Sequence, residues 1–470
     1  MNKSSTQSFD VKTIFLLLFI VIITMAASMM FVKMSIMLAI AITIGVILAI
    51  VSFINTELAL YILIISMLLG PQFLIGGAEL VPGRGRAGIT LRFDDFILLV
   101  IGLSWFFKTA INKELGLFAD TPLNRGIGFY FAICLISTLI GYLMGRVKGL
   151  TGIFFVLKYF EYFIIYFMVV NQIKEKKQIE RFLVTILVVC FIVCLVAIYQ
   201  IPSGGRVSAP FEGEGSGEPN TLGGYLVLMM SIAMGLLLNY GTKKQKSYLG
   251  ILLFFIVIAL AATLSRSSWI SLGPMFLALI YFNKKKAVII IPLAVILMIS
   301  PFIIPENVKQ RALYTVAQPT ETGQIVIGNT RIDTSTSARL ASWKMVLTSD
   351  FIKQPIIGYG ITGYRFLDAQ YPRVLAETGL VGLFVFLYLL RTIYINARNA
   401  YRNTTDPLYK GLTVGYLAGF WALIAHGIGS NTFIIVRIME PFWFLTAMII
   451  MIPVLSEAHE EKTEAELPIR

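Results

Sequence analysis

The chain has 470 residues, of which 57% are hydrophobic and 14% charged, with a formal net charge of +13 at pH 7. A mean hydropathy of +0.80 excludes a soluble globular protein. Apolar runs close to the ~20 residues of a helical span exclude a barrel, whose strands alternate over ~10 residues. The positive balance calls for no nucleic acid, because much of it gathers in short loops between apolar runs, where basic residues set orientation.

The apolar runs predict an all-α, polytopic transmembrane bundle of about twelve to fourteen spans. They lie near 14–32, 34–54, 57–75, 94–108, 126–145, 151–171, 182–201, 220–240, 248–264, 267–282, 287–304, 373–395, 409–428 and 433–453. The runs within 57–108 are short and read as partly re-entrant in the lower count. The first run, from Ile14, has no small-residue cleavage site before the next, so it reads as a retained span. Cys134, Cys190 and Cys194 all fall in apolar runs without metal spacing, which predicts buried, inert thiols.

Four basic clusters set the expected orientation: Lys174, Lys176, Lys177 and Arg181; Lys243, Lys244 and Lys246; Lys284, Lys285 and Lys286; Arg398, Arg402 and Lys410. They alternate correctly if all are cytoplasmic. The loops 202–219 and 305–372 then face outward and both termini lie inside. Arg84, Arg86 and Arg92 are the exception, falling outside under this scheme. The expected organisation is N-terminal spans over 1–200, central spans with the outer loop 202–219 over 201–304, a large outer loop with short amphipathic helices over 305–372, C-terminal spans over 373–455, and a charged, disordered cytoplasmic tail over 456–470.

The polar stretches hold the candidate chemistry. There is no GxxxxGK[ST] phosphate loop and no HExxH, and two histidines, His426 and His459, leave little room for a histidine metal site or a Ser-His-Asp triad. The outer loop PSGGRVSAPFEGEGSGEP carries Arg206, Glu212, Glu214 and Glu218 and is followed by Asn220. Arginine's planar fork suits a diphosphate and a carboxylate suits sugar hydroxyls; the alternative is a solvated connecting loop. In LSRSSW, Arg266 either faces a polar cavity or snorkels from a helix end. From Ala338 to Leu347, Leu340, Trp343, Val346 and Leu347 recur at helical spacing, an amphipathic helix at the interface that also presents Arg339 and Lys344.

PIIGYGITGYRFLDAQYP, from Pro355, follows, with Gly358, Gly360 and Gly363 for tight turns. Tyr359, Tyr364 and Tyr371 offer flat faces for sugar rings or for the interface, and Arg365 and Asp368 sit between them. Glu377 reads either as a substrate contact or as a helix-dipole cap. His426, Arg437 and Glu440 are ionisable groups inside spans; three residues apart, Arg437 and Glu440 read as a pair on one helix face.

Taken in order, Arg206 with EPNTLGGYL, LSRSSW, ARLASW with PIIGYG, and AETGLVG resemble the O-antigen ligase and polysaccharide polymerase superfamily of integral membrane glycosyltransferases. The resemblance covers roughly residues 200–395 well, and the N-terminal half by hydropathy alone. It implies a lipid-diphosphate-linked glycan donor held by outer-face arginines. It also implies a histidine in an H-x10-G spacing before the glycine of the ETG segment, but counting back from Gly379 that position is Asp368. This departure argues against a plain ligase. An aspartate with a cation such as Arg365 beside it still accepts a proton from a sugar hydroxyl. Arg206 and Gly217 show an R-x10-G spacing of the kind described for polymerases.

The expected function is therefore polymerisation of a surface polysaccharide at the outer face of a bacterial plasma membrane. Glycan on a polyprenyl diphosphate passes to the non-reducing end of another lipid-linked repeat unit, with inversion and without a metal or other cofactor. Arg206, Arg266, Arg339 and Arg365 are the expected diphosphate ligands. Asp368 with Arg339 is expected to act at the acceptor hydroxyl. Glu214, Asn220, Tyr359, Tyr364, Tyr371, Glu377 and His426 are substrate-binding candidates. Expected partners are polyprenyl-diphosphate-linked oligosaccharides and membrane lipids, with a chain-length regulator as a further candidate. A ligase acting on a lipid or protein acceptor is the alternative, and a flippase of lipid-linked sugars the second alternative.

Overall fold

The structure is a computed structural model that describes residues 36–75, 79–81, 84–86, 89–111, 119–212, 217–284, 286–303, 306–327 and 330–465. The expected first span, 14–32, lies outside the described residues. Each of the other expected spans coincides with a helix: α1 (Ile36–Ile54), α2 (Thr56–Leu69), α3 (Phe93–Ile111), α4 (Asn124–Leu143), α5 (Gly149–Gln172), α6 (Lys176–Tyr199), α7 (Pro219–Asn239), α8 (Lys243–Ala262), α9 (Arg266–Phe282), α10 (Ala287–Ile303) and three more after the large loop. Eight of the described helices are long and apolar enough to cross a membrane, so the chain is a polytopic helical membrane protein.

The third expected span, 57–75, ends early. Asn55 caps α2 by accepting from Leu58 N–H, and Gly70 closes it at Leu69. Gly-Pro cannot carry a helix on, and residues 72–75 instead form a strand. That strand, β1 (Gln72–Ile75), pairs antiparallel with β4 (Ile89–Arg92), and β2 (Glu79–Val81) pairs with β3 (Arg84–Arg86).

The large loop contains α11 (Glu306–Ala317), a hairpin of β5 (Val326–Ile327) and β6 (Thr330–Arg331), and α12 (Thr334–Met345), which runs into a π turn at Val346–Asp350. α12 is the expected amphipathic helix. Then come α13 (Gln370–Asn403), α14 (Pro407–Gly429) and α15 (Val436–Ala465). The expected disordered tail is largely helical, because α15 continues to Ala465; alanine, glutamate and lysine are strong helix formers there.

Close packing of α7 on α14 builds the centre. Gly411, Gly415 and Gly419 recur at four-residue spacing, the small-residue pattern that lets membrane helices approach. A Cβ on Gly415 would stand 2.7 Å from Ile232 Cα. Around them pack Tyr162, Phe163 and Tyr166 of α5 against Trp443 of α15.

All four expected cytoplasmic clusters border the same end of this bundle. Lys176 pairs with Asp406, and Tyr401 Oη donates to Phe282 O at 2.7 Å. Lys410 sits 3.7 Å over the Tyr401 ring, and its ammonium lies near Lys284. The α7 end that leads to the second cluster, Lys243, Lys244 and Lys246, packs at Gly235 against Gly411. The described parts of the loop 201–218 and of the large loop gather with 263–265 and 430–435 at the opposite end. There Arg206 reaches Thr263 O at 3.1 Å and Asn431 reaches Leu367 O at 2.6 Å.

Two expectations change in the core. Arg437 and Glu440 do not pair. Arg437 donates to Pro210 O at 2.9 Å, Gly70 O at 3.3 Å and Leu68 O at 3.4 Å, and lies 3.9 Å from Glu212. Glu440 lies 3.4 Å from Arg92, which also binds Asp94. Longer-range packing gives each group a partner on another element, and in a low-dielectric interior that outweighs a loose pair along one helix. Arg92 is thus a buried, neutralised residue and not a free loop cation.

Candidate functional site

One turn organises the polar end. α8 runs to Thr263, Leu264 takes a left-handed φ of 49°, and Ser265 opens α9. A non-glycine residue held in this region stores strain, and such strain concentrates at functional sites. Three arginines from three segments meet here. Arg206 Nε donates to Thr263 O at 3.1 Å, Arg311 Nε donates to Leu264 O at 3.4 Å, and Arg266 is two residues further along the chain.

Arg266 forks onto Asp333, with Nη1 and Nη2 at 2.9 and 2.8 Å from its two oxygens, and Nη1 also donates to Thr315 Oγ1 at 2.6 Å. Asp333 is buried and is the N-cap of α12, accepting from the backbone N–H of Ser335 and Thr336. The carboxylate that neutralises Arg266 therefore also starts the helix that carries Arg339. Arg339 Nη2 reaches Asp368 Oδ2 at 2.7 Å, Nη1 donates to Ser335 Oγ at 3.1 Å, and Nε is buried without a partner among the described residues. The cation beside Asp368 is thus Arg339, not Arg365.

Two guanidiniums, Arg266 and Arg339, are matched by carboxylates. Arg206 and Arg311 form no ion pair among the described residues; Arg206 lies 3.5 Å from Asn220 Oδ1 and Arg311 lies over the Tyr314 ring. Burial first, and then the charges of Arg311, Arg266 and Arg339, lower Arg206 to about 10. Burial and the neighbouring Arg266 lower Arg311 in the same direction. An end of the bundle that holds mutually repelling cations is an anion site in waiting.

Asp333 responds the opposite way. Although burial raises it, hydrogen bonds from Arg266 and Thr336 prevail and hold it at about 2. Its stabilisation is complete above its ordinary value of 3.8 and is lost as pH falls through about 2.

For Arg206 the sign reverses, because burial and the neighbouring cations make its charge oppose folding. Bound anion offsets that repulsion, so sulfate should raise the melting temperature at neutral pH. A thermal-shift series in sulfate against chloride at equal ionic strength checks it; equal melting temperatures would contradict the assignment.

The other expected site residues have structural partners. Arg365 stacks over Tyr364 at 5.4 Å and touches Met345 Sδ. Burial, and then the hydrogen bond that Tyr364 Oη donates to Asp350, push Tyr364 up to about 12. Tyr359 Oη donates to Asp350 O at 2.9 Å, and Tyr371 Oη to Ile424 O at 2.7 Å. Glu377 is buried and held by Arg373 Nε at 3.2 Å and by Thr362 N–H at 3.3 Å. It pins the glycine loop, in which Gly358, φ 76°, crosses Gly379, φ 68°, with no room for a Cβ on either. His426 is buried inside α14 and is linked by hydroxyls to Asn220. Glu214 lies outside the described residues.

Sequence reasoning missed Arg311 and Asp333. The run DTSTS was a readable N-cap signal for Asp333, but nothing local marked Arg311, whose role depends on α11 folding back to Leu264.

Residues 251–387 match the family described as O-antigen ligase. This match supports the O-antigen ligase/polymerase superfamily and, at that level, a membrane glycosyltransferase. The matched O-antigen ligase segment contains Arg266, Arg311, Asp333, Arg339, Asp368 and Glu377, while Arg206, Asn220, His426 and Arg437 lie beyond it. No curated protein matches the chain.

Proposed function

We propose that this protein polymerises a surface polysaccharide, using glycan on a polyprenyl diphosphate as donor at the extracytoplasmic face of a bacterial plasma membrane. The observation that carries the reading is the turn at 263–266, with Arg206 and Arg311 beside it and unmatched by any described carboxylate. The acceptor hydroxyl forms the new glycosidic bond as the bond to the diphosphate breaks. The leaving diphosphate keeps the electron pair and stays on its lipid, and the hydroxyl proton passes to Asp368. Arg206, Arg266, Arg311 and Arg339 stabilise the charge that grows on the diphosphate; fixed cations in a water-poor site act most strongly there. The basic loops at the far end support an orientation in which that end and both termini are cytoplasmic and the arginine turn faces outward. Membrane lipids and a chain-length regulator are the further proposed partners.

The second reading is a ligase that moves finished glycan to another acceptor. It is favoured by the description of the matched family. A deletion strain separates the two by mass spectrometry of lipid-linked intermediates. Single repeat units on carrier lipid, with no long polymer, support the polymerase; long polymer retained on its carrier supports the ligase.

At the residue level, Arg339→Ala should abolish product while the protein still accumulates in the membrane. Arg339→Lys should restore only part of it, because a point charge replaces a fork. Asp368→Asn keeps the shape and removes the base, and should lower turnover by about 100-fold, within the range of general-base effects. Near-normal polymer in Asp368→Asn would transfer the base role to another group.

A further inference from the structure

A chain of hydrogen bonds runs from the arginine turn into the bundle. Thr432 Oγ1 lies 2.8 Å from His426 Nδ1, and His426 Nε2 lies 3.2 Å from Ser268 Oγ. Ser268 Oγ is 2.8 Å from Ser265 Oγ, which is 2.7 Å from Asn220 Oδ1. Thr432, His426, Ser268 and Ser265 are buried. Asn220, half-buried in the first turn of α7, faces Arg206 Nη2 at 3.5 Å.

Counting protons along this chain gives it a single direction. Arginine only donates, so the amide atom facing Arg206 is the oxygen. That oxygen only accepts, so Ser265 spends its one hydroxyl proton on it. Ser265 then offers Ser268 only lone pairs, and Ser268 must donate to Ser265. Ser268 has no proton left for His426, so Nε2 carries a hydrogen and donates to Ser268. In a neutral imidazole Nδ1 is then bare and accepts from Thr432. Turning the Asn220 amide over would free the Ser265 proton for Ser268, and only then could every one of these bonds reverse and the ring proton move to Nδ1.

We infer that the His426–Ser268–Ser265 chain is a positioning device that locks the Asn220 amide with its oxygen inward, leaving its NH2 as a neutral donor to the anion held at the arginine turn. No described residue accepts from Asn220 Nδ2. The anion is an oxygen of the donor diphosphate, and this part rests on the function proposed above. The chain ends on an amide, which does not titrate, so it delivers no proton to the reaction. His426 is accordingly a positioning residue and not the base. A pre-oriented donor needs no reorganisation when charge develops on the leaving group, which is where such a lock acts.

Two measurements test this separately. The chain has two histidines, so 15N-histidine-labelled protein in nanodiscs shows two imidazoles, and His426→Gln assigns the buried His426 ring. The expected result is the Nε2–H tautomer for the buried ring at neutral pH. The Nδ1–H tautomer would overturn the lock, whatever the protein's activity. The second measurement is binding of farnesyl diphosphate as a lipid-diphosphate probe. Ser265→Ala and His426→Leu each release the amide without touching the probe, and each should weaken binding by about three- to tenfold. The double variant should be no weaker than either single, and His426→Gln, whose amide also donates to Ser268, should recover most of the loss. Wild-type affinity in Ser265→Ala, or His426→Gln no better than His426→Leu, would overturn the positioning role. A wild-type protein that shows the Nε2–H tautomer but binds no farnesyl diphosphate would remove the diphosphate as ligand, and with it the proposed donor, while the direction of the chain stands.

Discussion

Asp333→Ala should reduce glycan transfer as severely as Arg266→Ala, by about 100-fold or more, although Asp333 is placed to touch no substrate. Its two oxygens meet both Arg266 nitrogens and two backbone N–H groups of α12. Removing it breaks a mostly buried ion pair, for which truncating one partner costs about 3–5 kcal/mol. It also removes a cap worth about 1 kcal/mol. Arg266 loses its anchor and α12 its start, so Arg339, on the second turn, loses its register as well. A misplacement of about 1 Å at such a site already costs about 100-fold in rate. The two residues act as one unit, so the double variant should be little worse than either single. Transfer assays on membranes, with protein abundance measured in parallel, check this. Additive losses would show that the pair is not the link. Asp333→Asn, which keeps the cap acceptor and loses the charge, should fall between wild type and Asp333→Ala.

Arg437→Leu should instead remove the folded protein. Arg437 is 2% exposed and binds carbonyls of Leu68, Gly70 and Pro210. Those three oxygens close α2 and the loop that follows Arg206 on the same side of the bundle. Without the guanidinium they are left unmatched in a buried region, at several kcal/mol for each unsatisfied group before relaxation. Glu212, already pushed up by burial, would lose its nearest cation. The expected result is a protein that fails to accumulate, or one that melts well below wild type in detergent. Arg437→Lys should rescue partly, since an ammonium reaches fewer of the three carbonyls. A melting temperature unchanged in Arg437→Leu would mean that these carbonyls find other partners and that α2 and the outer loop are held by apolar packing alone.

Much of the architecture was legible in the residues because a bilayer demands it. A span must be apolar over about 20 residues whatever it packs against, so among the described residues, from 36 on, each expected run falls on a helix. The basic clusters were legible for the same reason, and the structure gathers them at one end. The polar end was legible only in part. Arg206, Arg266 and Arg339 stood out as cations beside apolar runs, and the three come together around the 263–266 turn and Asp333. Arg365 and the three tyrosines stood out equally, but their side chains are taken up by Tyr364, Met345, Asp350 and Ile424.

By itself, the sequence determined that this is a polytopic helical membrane protein, where most of its helices lie, and which stretches are polar enough to hold chemistry. These follow from composition and periodicity, which act locally. Only the tertiary structure decided which charge meets which. Arg437 goes to Glu212 and to carbonyls of α2, Glu440 to Arg92, Asp368 to Arg339 and Asp333 to Arg266. The reason is that a charge in a low-dielectric interior is settled by the nearest opposite charge or dipole in space. For each of these four that neighbour lies on a different segment, out of reach of any pattern read along the chain.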